Sequence, residues 1–137
     1  MSGELPEDLD AFVRRGVDAF NAHDLDAVVE LYDPEATAEG PEGWPEADVS
    51  SDRQAIRRQY QVLTEPWEEY RVEVLEREVV GDAALVHLVW HTRGRASELE
   101  TDFDLWHLYR FRDGRIIRHE FYWSREDARQ AAGAGDG

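Results

Sequence analysis

The stretch Phe103-Asp104-Leu105-Trp106-His107-Leu108-Tyr109-Arg110-Phe111-Arg112-Asp113-Gly114-Arg115-Ile116-Ile117-Arg118-His119-Glu120-Phe121-Tyr122-Trp123 decides how this chain folds. Residues alternate with a period near two on both sides of Asp113-Gly114, the pattern of two strands joined by a tight hairpin. A three-residue loop with Gly114 in the left-handed region as a bulge pairs Phe111 with Arg115. Counting back, Tyr109 faces Ile117, His107 faces His119, Leu105 faces Phe121 and Phe103 faces Trp123. This face gathers the aromatics and both histidines, and is read as the concave side. The other face receives Asp102, Asp104, Trp106, Leu108 and Arg110, with Ile116, Arg118, Glu120 and Tyr122 beside them. A two-residue loop would reverse the parity and undo the assignment.

Two more alternating runs precede this hairpin, 70–80 and 83–93, separated by Gly81-Asp82, so that 99–111 and 115–123 complete a four-stranded meander. Val86 and Trp90, with Ala84 and Leu88, are expected on the inner wall, and His87 and His91 on the outer one. Upstream the period changes. Leu9, Phe12, Val13, Val17 and Phe20 recur at helical spacing over 7–22. Asp24 caps a short second helix with Leu25, Val28, Val29 and Tyr32 inward, stopped by Asp33-Pro34. Residues 36–39 form a short strand. Gly40, Pro41, Gly43 and Pro45 then carry Trp44 on a loop, as a lid over the mouth of the fold or a plug for a small core. Ser51 and Gln54 make a capping box for a third helix to about residue 64, with Ile56, Tyr60 and Leu63 inward. Ser124 and Asp127 cap a brief terminal helix. Three helices followed by four long strands specify an α+β domain, its helices packed on one face of a curved antiparallel sheet that closes into a cone. The whole chain, 1–137, reads as a single domain with loose ends at 1–5 and 133–137.

Composition narrows the function classes. The chain has 137 residues, 42% hydrophobic and 11% aromatic, which suits a globular domain despite 34% charged content. With no cysteine, disulfides, zinc-thiolate sites and cysteine nucleophiles are excluded. Thirty-one acids face 15 bases, for a net charge of −16. A field of that sign repels phosphate backbones and anionic lipid, so neither nucleic acid nor membrane is expected as a partner. Every base is arginine. That bias fits genome composition and solubility, or adaptation to salt. The acidic start, MSGELPEDLDAF, lacks the basic region of a signal peptide, and the expected location is cytoplasmic.

Beyond this pattern, the chain resembles the NTF2-like superfamily, and within it the SnoaL-like and ketosteroid-isomerase-like proteins. The resemblance rests on Ala19-Phe20-Asn21-Ala22-His23-Asp24-Leu25-Asp26-Ala27-Val28-Val29 with Leu31-Tyr32-Asp33-Pro34-Glu35-Ala36. It rests also on Tyr109-Arg110-Phe111-Arg112-Asp113-Gly114-Arg115-Ile116-Ile117, followed by Tyr122-Trp123-Ser124. It implies a cystatin/NTF2-like cone with an internal pocket, frequent homodimers, and members that are isomerases, cyclases, epoxide hydrolases or binders. The isomerase's tyrosine, general base and second oxyanion donor fall at Gly16, Gly40 and His107. The cyclases' essential aspartate falls at Phe121, after His119. The acids those reactions need are therefore missing.

The remaining inward polar pair is His107 and His119, which burial and mutual repulsion would keep neutral and able to exchange a proton with a ligand. They are the candidate catalytic residues, with core hydrogen bonding as their structural reading. Tyr32, Glu39, Trp44, Tyr60, Val86, Trp90, Phe103, Leu105, Tyr109, Phe121 and Trp123 are the candidate ligand-binding residues. Two histidines and Glu39 have the composition of a two-His-one-carboxylate iron site, but no ligand spacing supports it, and neither metal nor cofactor is expected. The leading expectation is a pocket for a small, mostly apolar molecule, carbonyl-containing or polyketide- or steroid-like. The alternative is a non-catalytic module whose cone is filled by its own side chains. Trp106, Leu108, Ile116 and Tyr122, if exposed together, would drive homodimerisation through the convex sheet face.

Overall fold

In the computed structural model, which describes residues 5–40, 50–95 and 99–134, the helix starts are set by aspartates. Asp8 accepts the Ala11 N–H at 3.0 Å and opens α1 (Leu9–Asn21). Asp24 accepts the Ala27 N–H at 3.1 Å and opens α2 (Leu25–Val29). At α3 (Asp52–Thr64) the expected capping box is not formed, because Ser51 makes no side-chain cap bond. Asp52 takes that part at φ 67°, accepting the Ala55 N–H at 3.0 Å. A short carboxylate both tolerates the left-handed region and reaches the open N–H groups.

The six strands among the described residues are β1 (Tyr32–Glu39), β2 (Ser50–Ser51), β3 (Trp67–Val80), β4 (Ala83–Gly94), β5 (Glu100–Arg112) and β6 (Arg115–Tyr122). They form one sheet in the order β2-β1-β6-β5-β4-β3. The expected meander is present as β3 to β6, but the sheet is mixed, since β1 runs parallel to β6. Tyr32 therefore begins a strand instead of ending a helix. Pro34 lies within a register shift between Tyr32 and Thr37, where its missing N–H is tolerated.

The decisive hairpin has a two-residue turn. Arg112 pairs with Arg115, and Asp113 and Gly114 have φ of 52° and 78°, the signature of a type I′ turn. Alone, this would have reversed the parity. A shift between Arg110 and Phe111 leaves Ile117 as the extra residue and restores it. Tyr109 consequently pairs with His119 and His107 with Phe121, two residues out from the expected partners yet on the same face. Between bulge and turn the faces of β6 exchange, while Phe111 on β5 stays inward as expected. Ile116, expected outside, is 3% exposed inside the core.

Helices α1 to α3 cover the inner face, and α4 (Arg125–Ala134) lies against the outer one. The Asp127 N–H donates to Ser124 Oγ at 3.2 Å, as the sequence implies. Ala132 is packed with Ala83 and Leu108, with Val80, Tyr122 and Ala131 around them. Arg110 donates to the Ala131 and Ala132 carbonyls, and Arg129 forms a two-pronged pair with Glu78. The apolar patch behind the dimer expectation is thus corrected. Leu108 is covered by α4, Ile116 faces inward and Trp106 stacks on His87 at 4.1 Å. Of the ends expected to be loose, Leu5 packs partly against the core and Gly133 belongs to α4. Residues 1–4 and 135–137 lie outside the described residues.

Candidate functional site

The inner face of the sheet, roofed by α1 and α3, brings together six polar side chains from five strands or helices. His107 on β5 and His119 on β6 are 2% and 0% exposed. His107 Nδ1 lies 2.9 Å from His119 Nε2. His119 Nδ1 lies 2.6 Å from Tyr32 Oη, which lies 2.8 Å from Tyr60 Oη. At the other end Trp90 Nε1–H donates to His107 Nε2 at 3.3 Å. Tyr109 Oη is 3.4 Å from His107 Nδ1. Buried polar atoms need such partners, and here they find them in one another.

This polar core is uncharged near neutral pH. Burial pushes His107 down to about 3, with repulsion from His87 adding to it. Burial, and next the neighbouring His107, drive His119 well below the ordinary histidine value. Burial raises the phenols of Tyr32 and Tyr109 and lifts Tyr60 to about 12. Removing water disfavours the ionised form of every one of these groups.

A cavity of about 60 Å³ sits between α1 and the sheet. Six of the expected residues line it: Tyr32, Tyr60, Val86, Trp90, His107 and Tyr109. Leu105, Phe121 and His119 are buried behind its wall, and Phe103 packs partly against the core. Trp123 is 46% exposed, with its ring centroid 6.3 Å from that of Phe103. Trp44 lies outside the described residues. Glu39 is corrected. It pairs with Glu120 on the face opposite the Ala38–His119 pair, so it points away from the cavity. The expectation that a histidine exchanges a proton with a ligand also meets an obstacle, since both ring nitrogens of His107 and of His119 already have partners. Gly16, Val17 and Phe20 line the cavity from α1. Helical periodicity marked Val17 and Phe20 as inward, and the resemblance placed the isomerase's tyrosine at Gly16, but spacing alone did not tie α1 to the histidines.

On the outer face, His87 lies 2.9 Å from Asp104 and His91 lies 2.9 Å from Asp102, matching the outward expectation for both. Among the described residues, no group of three or more histidines and acids is placed to hold a metal ion. Nor is any described helix long and apolar enough to cross a membrane.

The family whose pattern matches this chain is described as the SnoaL-like domain, over residues 13–119. The chain belongs to the SnoaL-like domain family. Its cone is NTF2-like. A putative polyketide cyclase from Sinorhizobium meliloti is 30% identical, with 81% of this chain and 93% of that one covered and a TM-score of 0.63. An NTF2-like protein of unknown function from Burkholderia pseudomallei is 17% identical, with 86% and 92% covered and a TM-score of 0.75. A protein of ketosteroid isomerase-like fold from Catenulispora acidiphila, in complex with trimethylamine, is 16% identical, with 94% of each chain covered and a TM-score of 0.73. No curated protein matches this chain.

Proposed function

We propose that this SnoaL-like domain binds a small, neutral, mostly apolar molecule in the cone, with the ligand's polar group against Tyr60 and Tyr109. The observation that carries this reading is the cavity itself. Its wall is apolar apart from a few converging polar groups, and burial holds those groups uncharged. A charged ligand would enter without a counter-charge, at a desolvation cost nothing on the wall offsets. The C. acidiphila structure, which holds trimethylamine, supports a ligand of few atoms in a similar fold.

Volume sets the size class. About 60 Å³ is less than the ~150 Å³ cavity that admits benzene. A steroid- or polyketide-sized body does not fit this space. The same small volume favours a second reading, in which the cone is filled by its own aromatics and binds nothing.

Calorimetry and thermal melting with acetone separate the two. For ligands of so few atoms the binding reading predicts saturable binding in roughly the millimolar range, with a melting temperature that rises with ligand concentration. No saturable binding, and melting that tracks only the bulk solvent effect, would leave the filled cone.

A further inference from the structure

An indole N–H donates and never accepts. Trp90 Nε1–H points at His107 Nε2, so that nitrogen carries no hydrogen. A neutral imidazole then keeps its single hydrogen on Nδ1, and His107 Nδ1–H donates to His119 Nε2. The step repeats. His119 Nδ1–H donates to Tyr32 Oη, and the Tyr32 hydroxyl donates to Tyr60 Oη. Running the chain the other way would set His107 Nε2–H against the indole N–H.

We propose that Trp90 is a positioning residue that locks His107 and His119 as Nδ1–H tautomers and turns the cavity wall into a hydrogen-bond donor, so that the cone selects a neutral ligand with an accepting oxygen. Tyr60 ends the chain, and its own hydrogen has no protein acceptor among the described residues. Tyr109 is close to His107 Nδ1, whose hydrogen is already given to His119, so the Tyr109 hydrogen is left over as well. Both phenols border the cavity. Two hydrogens converge on the space, which suits a ketone-type oxygen able to take both over a donor-only molecule, which meets only the weaker phenol lone pairs. The imidazoles thereby act on a ligand only through the phenols that they hold.

The tautomer part stands by itself, whereas the ligand-selection part rests on the binding reading above. Long-range ¹H–¹⁵N correlation of the ligand-free full chain, labelled at histidine, reads the tautomers directly. Both buried histidines should carry hydrogen on Nδ1; an Nε2–H on either overturns the lock. Trp90→Phe keeps an aromatic ring and removes the donor, and should give His107 an Nε2–H population. Tyr32→Phe removes an acceptor but leaves the anchor, and should leave His107 unchanged. Unaltered tautomers in Trp90→Phe would remove Trp90 from the role. Titration with acetone, an acceptor, and isobutene, of the same shape without an oxygen, should show a preference of roughly tenfold for the ketone that shrinks in Trp90→Phe. Equal affinities would overturn the selection. Failure of both probes to bind would overturn the binding reading with it, and leave the tautomer result standing.

Discussion

At the residue scale, two neutral histidines inside a protein make its stability depend on pH in a predictable direction. The unfolded chain protonates them near the ordinary value of about 6.5, whereas in the fold His107 is held to about 3 and His119 well below its ordinary value. Their stabilisation is complete above the unfolded value. It is lost as pH falls from about 6.5 toward the folded values, at up to about 1.4 kcal/mol per pH unit for each. Denaturant melts between pH 6.5 and 5, above most carboxylate titrations, should show this slope, and His107→Gln should be less stable at pH 7 but shallower. A flat profile in the parent protein would mean that the pair is hydrated. The pair was legible in the sequence because period two carried both residues to one face. Their connection to Tyr32 was not, since 87 residues separate Tyr32 from His119 and only a parallel strand pairing brings them together. Glu39 was misplaced for the same reason: alternation on a short strand says which residues share a face, not which face looks inward.

At the scale of the element, the hairpin between β5 and β6 shows how two local rules can offset each other. Asp113-Gly114 makes a two-residue turn, and the extra residue Ile117 restores the parity that the turn reverses. Turn chemistry was readable from Asp-Gly, but no residue at Ile117 announces a bulge. Gly114→Ala keeps open space around the new methyl, so only backbone strain at φ 78° is felt. Chemical denaturation should show a loss of about 1 kcal/mol. α4 is the other element with a testable job. Its buried Ala128 and Ala132 and the Arg110 and Arg129 contacts hold it over the outer sheet. Ending the chain before Arg125 would uncover Ala83, Leu108 and Val80. Sedimentation should then show stronger concentration-dependent association than in the full chain, and association unchanged from the full chain would argue that α4 covers nothing adhesive. The sequence announced this helix through Ser124 and Asp127, yet gave no sign of the face on which it would lie.

At the scale of the whole molecule, acids outnumber bases by two to one, and the net charge of −16 opposes compaction. Surface pairs such as Arg93 with Glu69 and Arg57 with Asp26 use some arginines without cancelling the excess. Molar salt should therefore raise the melting temperature by screening self-repulsion, and a temperature indifferent to salt would contradict that. The class of fold and its covering helices were legible from periodicity, because burying one face of each element leaves few arrangements. The size of the cavity was not, since it depends on how Phe20, Trp90 and Phe111 interlock across α1 and the sheet. The central claim is that this small cavity is a neutral, hydrogen-bond-donating site. Its most direct test is a crystal structure of the protein saturated with acetone. The ketone is expected inside the cone, its oxygen about 3 Å from the hydroxyl of Tyr60 or Tyr109. A cavity closed around its own side chains, or an oxygen directed at neither phenol, would contradict it.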